Sequence, residues 1–503
     1  MRKIFIISIL CLFASCSVFK SPIPTPKHEF RGVWIATVVN IDWPKNSLDS
    51  IEKQKQDYLK ILDFYEELNF NAVIVQIRAA GDAFYPSKYA PWSRFLTGNE
   101  GVAPNPYYDP LQWMIEQAHS RGMEFHAWLN PYRATFDQNL EILSKDHDYN
   151  LHPDWMLKYG KKYYYNPGLP EVQEHLTNII GEVVANYDVD AVHFDDYFYP
   201  YKITSEVFED SAVYAKHALP QQSLEDWRRS NIDSLVKNAH ETIKNKKPWV
   251  QFGISPFGVW KNNSTDPRGS DTKAGQTTYE DLYADPLLWM EKGWIDYLVP
   301  QVYWSMDLPV ASHRKIVDWW SKNSGNTNLY IGNGPYKIRN NSDKAWDNKK
   351  ELPEQLKLAR EDKIVMGNVF FSAKSLMSDK EDVLKILRKK YYHNLALPPI
   401  SPLQENTFGN VKITTQFEEK NGALKFKILP DQEKNLRYAL VYVAKKESKL
   451  DLKNTDQLVA KIPLTNSENF IFNTSLLQGK KHIALTFINT FGQESNPETI
   501  KID

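Results

Sequence analysis

The chain predicts an α/β fold, a (β/α)8 TIM barrel followed by a small all-β sandwich. Three observations carry this expectation. Eight strand candidates alternate with eight helix candidates over about 360 residues. Composition then changes at the Pro-rich run Leu397-Pro398-Pro399-Ile400-Ser401-Pro402. Beyond that run, apolar residues recur with period two between turn residues. A doubly wound open sheet is the alternative, but no Gly-rich phosphate loop follows the first strand.

The first residues read as targeting rather than structure. Met1-Arg2-Lys3 is a basic start, and Ile4 to Ala14 is an apolar run too short to span a bilayer comfortably. The run ends Phe13-Ala14-Ser15-Cys16, which resembles the lipobox of bacterial lipoproteins and implies cleavage before Cys16 and lipidation on it. A plain cleaved signal peptide is the alternative. Residues 1–16 are therefore a signal and lipobox, and 17–27 a Pro-rich tether. Cys11 would leave with the signal, so no pair remains for a disulfide. The absence of acidic residues in Ser17-Val18-Phe19-Lys20 leans toward an outer-membrane lipoprotein facing the periplasm, with surface exposure as the alternative. The implied partners are a membrane, through the lipid, and a glycan. A formal net charge of -1 gives nucleic acid no electrostatic footing. No motif calls for a cofactor.

The barrel is expected over residues 28–396. Its strand candidates are Arg31–Asn40, Asn71–Arg78, Met123–Pro131, Asp190–Asp196, Trp249–Ser255, Ile295–Tyr303, Asn328–Asn333 and Ile364–Ser372. Helices fall between and after them, at Leu48–Leu68, Pro110–Arg121, Pro170–Tyr187, Leu224–Asn245, Tyr279–Lys292, Val310–Lys322, Leu352–Asp362 and Asp379–Tyr391. Asn69-Phe70-Asn71 and Arg121-Gly122 look like helix exits into the next strand, the latter with Gly at the C-cap. The longest loops, Gly81–Tyr108 and Arg133–Gly168, follow strands two and three and are rich in Tyr, Trp and Pro. In a barrel such loops build the C-terminal face, where active sites lie. Residues 397–402 form a linker. Residues 403–503 carry the period-two runs Val411-Ile413-Phe417, Leu424-Phe426-Ile428, Tyr438-Leu440-Tyr442 and Ile483-Leu485-Phe487. This module resembles a fibronectin type III domain and shows no chemistry, which suits a spacer.

The chemistry gathers where the fourth strand ends, at Asp190-Ala191-Val192-His193-Phe194-Asp195-Asp196-Tyr197-Phe198-Tyr199-Pro200. Val192 and Phe194 alternate with His193 and Asp195, so the apolar pair faces helices and the polar pair faces inward. The same test turns Gln76, Arg78, His126, Trp128, Asn130, Ser255, Gln301 and Tyr303 toward the axis, with Trp304 just beyond. A barrel filled only for stability would be mainly Val, Ile and Leu inside. Metal hydrolysis would want a compact ligand set, and no H-x-H or H-E-x-x-H motif is present, so no metal is assigned. A serine hydrolase would want a G-x-S-x-G elbow, which is absent.

Paired carboxylates among aromatic and amide side chains fit glycoside cleavage. Adjacent strand residues point apart, so Asp195 and Asp196 do not simply flank one bond. Either a second carboxylate lies elsewhere, Asp307 first and Asp42 or Asp82 behind it, or the substrate's own N-acetyl group is the nucleophile. The second route is preferred. In it one Asp orients the acetamide, and its charge keeps the other protonated as general acid. Asp195, Asp196 and Tyr303 are then catalytic, Tyr303 serving the oxazolinium region. Arg78, His126, Trp128, Asn130, Arg133, His193, Tyr197, Gln301 and Trp304 bind substrate. A retaining hydrolase with Asp195 as nucleophile and a silent glycan binder are the rival readings.

These residues also resemble a family. Arg31-Gly32-Val33-Trp34-Ile35-Ala36-Thr37-Val38, Ala127-Trp128-Leu129-Asn130-Pro131-Tyr132-Arg133, Asn166-Pro167-Gly168-Leu169-Pro170-Glu171-Val172, the Asp188–Pro200 stretch, Gly253-Ile254-Ser255-Pro256-Phe257-Gly258 and Pro300-Gln301-Val302-Tyr303-Trp304 are similar to bacterial glycosyl-hydrolase-like proteins of the "like family 10" type. The resemblance covers Phe30 to Leu395. It implies a TIM-barrel glycosidase of the cell envelope, with relatives that cut peptidoglycan strands stripped of their peptides. Arg78 or Arg133 would then meet the lactyl carboxylate of muramic acid.

Overall fold

A computed structural model describes residues 23, 25–378, 380–403, 408, 415–420, 422–428, 435–464 and 469–502. The lipobox and Cys16, most of the tether, and Val411 and Ile413 lie outside them. Eight parallel strands close a barrel in chain order: β1 Phe30–Ile35, β2 Ala72–Arg78, β3 Glu124–Leu129, β4 Ala191–Phe194, β5 Gln251–Ile254, β6 Tyr297–Leu298, β7 Asn328–Asn333 and β8 Val365–Phe370. The covering helices are α1 Ile51–Glu66, α2 Pro110–Ser120, α3 Pro170–Asn186, α4 Leu224–Lys246, α5 Pro286–Glu291, α6 His313–Asn323, α7 Glu351–Glu361 and α8 Glu381–Ile386.

Local chemistry sets many of the ends. Ser50, Asp109, Ser223 and Ser312 cap α1, α2, α4 and α6 by accepting backbone N–H bonds. Asn69 and Gly122 leave α1 and α2 at φ 56° and 69°, the left-handed turn that the exits require. Several expected elements come out shorter, and four of them differ for a visible reason. The first strand stops at Ile35, because Val39 and Asn40 take φ 53° and 52° in a tight turn. The sixth ends at Leu298, two residues before Pro300, which has no N–H for a ladder. The helix expected over Tyr279–Lys292 is split into Thr278–Asp281 and α5, with Tyr283 at φ 52° and Pro286 opening the second piece. The last helix passes from α8 into a π turn over Leu387–Tyr391.

Alternation sorts the strand residues into two cores. Val33, Ile35, Val73, Val75, Val192 and Phe194 pack outward with the helices. Phe30, Trp34, Ile74, Trp128, Tyr297, Tyr330 and Val369 form a separate inner cluster. The inner layer is aromatic rather than aliphatic, so hydroxyl and imidazole groups can be carried inside it. Gly253 makes room there: a Cβ at this position would lie 2.0 Å from the Tyr297 ring.

The C-terminal module is two antiparallel sheets around a buried apolar core. One pairs Thr415–Lys420, Ala423–Ile428 and Asn469–Asn473; the other pairs Leu458–Pro463, Leu436–Ala444, His482–Asn489 and Glu498–Lys501. It docks under the N-terminal ends of the strands. Arg437 pairs with Asp188 at 2.6 Å, and Lys461 Nζ donates to the Gly122 carbonyl at 2.8 Å. The Pro-rich run is held in the same place, with Leu397 bridging to His28 and Ser401 Oγ donating to Asp296 at 2.6 Å.

Asp190 ties this floor together. Its Oδ2 accepts from Phe125 N and lies against His119 Nε2, both at 2.7 Å, and Arg437 stands 3.6 Å from Oδ1. Burial opposes its charge, but His119 and Arg437 outweigh burial and hold the carboxyl below its usual range. A depressed folded pKa gives stability that is present above the unfolded value and lost as pH falls through the folded one. Asp190→Asn is therefore expected to cost about 2 kcal/mol at pH 7, because it removes a buried charge that accepts from Phe125 N and meets His119 and Arg437. Denaturant melts at pH 7 check this, and the gap from the parent should close in acid.

Candidate active site

A cavity of about 220 Å³ opens among the C-terminal ends of the strands. Its polar and aromatic wall is Trp34, Gln76, Trp128, Asn130, Arg133, Asp195, Tyr197, Ser255, Gln301 and Tyr303; Ala36, Val38, Ile41 and Phe371 complete it.

Asp195 follows the last residue of β4 and is the carboxylate in this wall. Its Oδ1 accepts from Gln301 Nε2 at 2.9 Å and from the Asp196 backbone N–H at 2.8 Å. Gln301 also donates to the Ser255 carbonyl at 3.0 Å, so both of its N–H bonds are committed and its place is fixed. Asp196 is turned away from the wall and accepts a hydrogen bond from Tyr201 Oη. Burial and then the charge of Asp195 push the Asp196 carboxyl well above its ordinary range; burial raises Asp195 as well. The pair therefore resists carrying two charges, and Asp195, with Gln301 and a backbone N–H on its Oδ1, is the better supported of the two as the anion.

The aromatic wall is set by its own hydrogen bonds. Trp34 Nε1 donates to His193 Nε2 at 3.3 Å, and Trp128 Nε1 to Asn130 Oδ1 at 2.9 Å. With both indole N–H groups satisfied inside, what these side chains offer the cavity is ring surface, which suits the apolar faces of sugars. Gln76 Oε1 accepts from Thr37 N at 3.2 Å and Val38 N at 2.9 Å, fixing the loop after β1. Tyr303 stacks on Phe371 at 5.9 Å and meets Trp34 edge-on at 6.5 Å. Arg133 is buried with its guanidinium 4.3 Å over the Tyr197 ring. It forms no salt bridge among the described residues, and its Nε has no hydrogen-bond partner there.

Of the expected site residues, Asp195, Tyr303, Trp128, Asn130, Arg133, Tyr197 and Gln301 come together here. Five others are placed differently. Arg78 is buried under Tyr165, 3.1 Å from its hydroxyl, because a bulge between Gln76 and Arg78 sets Arg78 opposite the outward-facing Leu129. His126 and His193 do point inward, but one level below the cavity, where other side chains enclose them. Trp304 packs edge-on to Phe257 outside the wall. Asp196 stands behind Asp195. The distant carboxylates do not reach the cavity either. Asp307 is 80% exposed and faces Arg314, Asp42 accepts from Ser372 and two backbone N–H groups, and Asp82 caps Ala79 and Ala80. The wall residues that the sequence reading left out of the site are Trp34, Gln76, Ser255 and Phe371. Alternation along β1 marks Trp34, since Val33 and Ile35 face the helices. Phe371 falls within the expected strand Ile364–Ser372, where alternation with the outward Phe370 puts it on the inward side with Val369.

The profile described as "Glycosyl hydrolase-like 10" matches residues 29–348, which carry most of this wall. The chain belongs to that family. Two relatives are similar over most of their length. "Glycosyl hydrolase YngK" of Bacillus subtilis (strain 168) is 45% identical over 454 residues, 89% of this chain and 88% of the relative. "Glycosyl hydrolase DigH" of Escherichia coli (strain K12) is 40% identical over 339 residues, 63% of this chain and 76% of the relative. Among solved structures, the PgaB (BpsB) glycoside hydrolase domain from Bordetella bronchiseptica aligns with a TM-score of 0.48 at 12% identity, over 73% of this chain and 99% of that one.

The buried pair makes a prediction that separates function from stability. A carboxyl whose folded pKa is raised stabilises the fold below its unfolded value, and that contribution is lost as pH rises through the folded value. Asp196→Asn should therefore melt at or above the parent temperature at pH 8 and lose that advantage below about pH 4. Thermal melts at the two pH values check it; a variant less stable at pH 8 would mean that the pair is a structural tie.

Proposed function

We propose that this member of the family hydrolyses glycosidic bonds of an N-acetylated glycan, and that peptide-free peptidoglycan strands are its substrate. The observation that carries the reading is the carboxyl pair at the cavity: Asp195 faces in with Gln301 and a backbone N–H on its Oδ1, and Asp196 stands behind it, pushed well above the ordinary carboxylate range by burial and the charge of Asp195, which suits it to keep a proton. Asp196 gives that proton to the leaving oxygen as the C1–O bond breaks, after exchanging Tyr201 for the substrate. The acetamide oxygen of the same sugar closes on C1, and Asp195 accepts its N–H bond while the positive charge forms. The Tyr303 hydroxyl supports the oxazolinium region. Water, deprotonated by Asp196, then opens the ring and restores the acid. The rival with Asp307 as a distant acid lacks support, since that group is solvent-exposed and faces Arg314.

Arg133 supports a sugar that bears a carboxylate. A buried guanidinium without an ion pair, lining the cavity, is suited to the lactyl group of muramic acid. The location proposed with this is an envelope lipoprotein anchored through Cys16 and facing the periplasm, its fibronectin-like module serving as a spacer.

The test is digestion of denuded peptidoglycan by the full chain. Asp195→Asn and Asp196→Asn should each lower kcat by about 10² or more, the scale of a lost acid/base group, while glycan binding persists. Strands stripped of N-acetyl groups should bind and stay uncut. Cleavage of those strands at the parent rate would exclude substrate assistance, and affinity without product from any glycan would make the protein a silent binder.

A further inference from the structure

A line of hydrogen bonds runs up the inside of the barrel to the cavity. Glu124 Oε2 lies 3.1 Å from His126 Nε2, and His126 Nδ1 lies 2.7 Å from Tyr297 Oη. The same hydroxyl lies 3.1 Å from His193 Nδ1. His193 Nε2 in turn meets Trp34 Nε1 at 3.3 Å and Ser255 Oγ at 2.9 Å. Trp34 and Ser255 are in the cavity wall, and the Ser255 carbonyl holds Gln301, which holds Asp195.

The bond from Trp34 sets the directions along the line to Glu124, while the single Ser255 Oγ proton has both His193 Nε2 at 2.9 Å and the Phe194 carbonyl at 3.3 Å within reach. An indole N–H can only donate, so His193 Nε2 is an acceptor and the ring carries its proton on Nδ1. That proton goes to the Tyr297 oxygen. Tyr297 is left to donate to His126 Nδ1, and His126 then donates from Nε2 to the Glu124 carboxylate. Each link requires the next, and reversing one would set two donors face to face. Tyr297 is built into this place, since only a glycine at position 253 leaves space for its ring.

We propose that Tyr297, with His126 and Glu124 below it, is a positioning residue that holds His193 in one tautomer and thereby sets Trp34 and Ser255 in the cavity wall. This assigns the two histidines a role that needs no contact with substrate. It rests on the reading of the cavity as catalytic, but the relay has a signature of its own. When His193 Nδ1–H loses its acceptor, the ring is free to place its proton on Nε2, which breaks the bond from Trp34.

The experiment compares Tyr297→Phe, Glu124→Leu and Glu124→Gln in the full chain, reading the Trp34 indole N–H resonance, assigned through Trp34→Phe, alongside kcat and KM. Tyr297→Phe should shift that resonance and speed its hydrogen exchange. It should also lower kcat about tenfold with a smaller change in KM, as expected for misplaced rather than missing contacts. Glu124→Leu should act in the same direction, and Glu124→Gln, which keeps an acceptor for His126, should behave as the parent. A parent-like Trp34 signal or parent-like kcat in Tyr297→Phe overturns the proposal. Should that variant fail to fold, parent-like signal and kcat in Glu124→Leu overturn it instead. A parent chain with no glycan activity would sink the catalytic reading of the cavity, and the Trp34 signal would then decide the relay alone.

Discussion

Two carboxyl groups too close to ionise together are the constraint around which this barrel is organised. Water would let both charge. Here burial raises both carboxyl groups, and the charge of Asp195 raises Asp196 further. The surrounding side chains follow from that division. Gln301 and the Asp196 backbone N–H donate to Asp195, while Tyr201 donates to Asp196. A fold gains nothing in stability from such an arrangement at neutral pH, so its presence argues for chemistry.

The interior around the pair shows how a barrel can be polar without being wet. His126, Tyr297 and His193 satisfy one another, and Phe30, Tyr330 and Trp34 fill the space between them. An aliphatic filling would pack as well, but it could not hold an indole N–H at a chosen angle. Buried polar groups carry little cost once each donor has its acceptor, and that condition is met along the line from Glu124 to Ser255.

Period-two patterning was enough to read the strands, because each buries one face under helices and the other in the axis. The reading of Val192 and Phe194 as outward and His193 as inward needs only that geometry. Depth along the axis is a different matter. His126 and His193 share the direction of Trp128 and Asp195, yet the former lie below the cavity and the latter line it; alternation gives a side, never a height. Arg78 fails for another reason. The bulge beside it shifts the register by one residue, and a bulge has no strong mark in this stretch. Tyr201 sits on irregular chain past the strand end, where spacing carries no direction at all.

The module under the strands also bears on what the barrel is as a vessel. Arg437, Lys461 and the Leu397–Pro402 run cover the end opposite the cavity. The barrel's own inner rings, Phe30, Tyr297 and Tyr330, already close the axis beneath the cavity, so the module lays a second floor under a filled interior. Among the described residues the cavity is reached from the C-terminal end, past the Trp34 and Trp128 rings, and whatever it holds arrives and departs on that side.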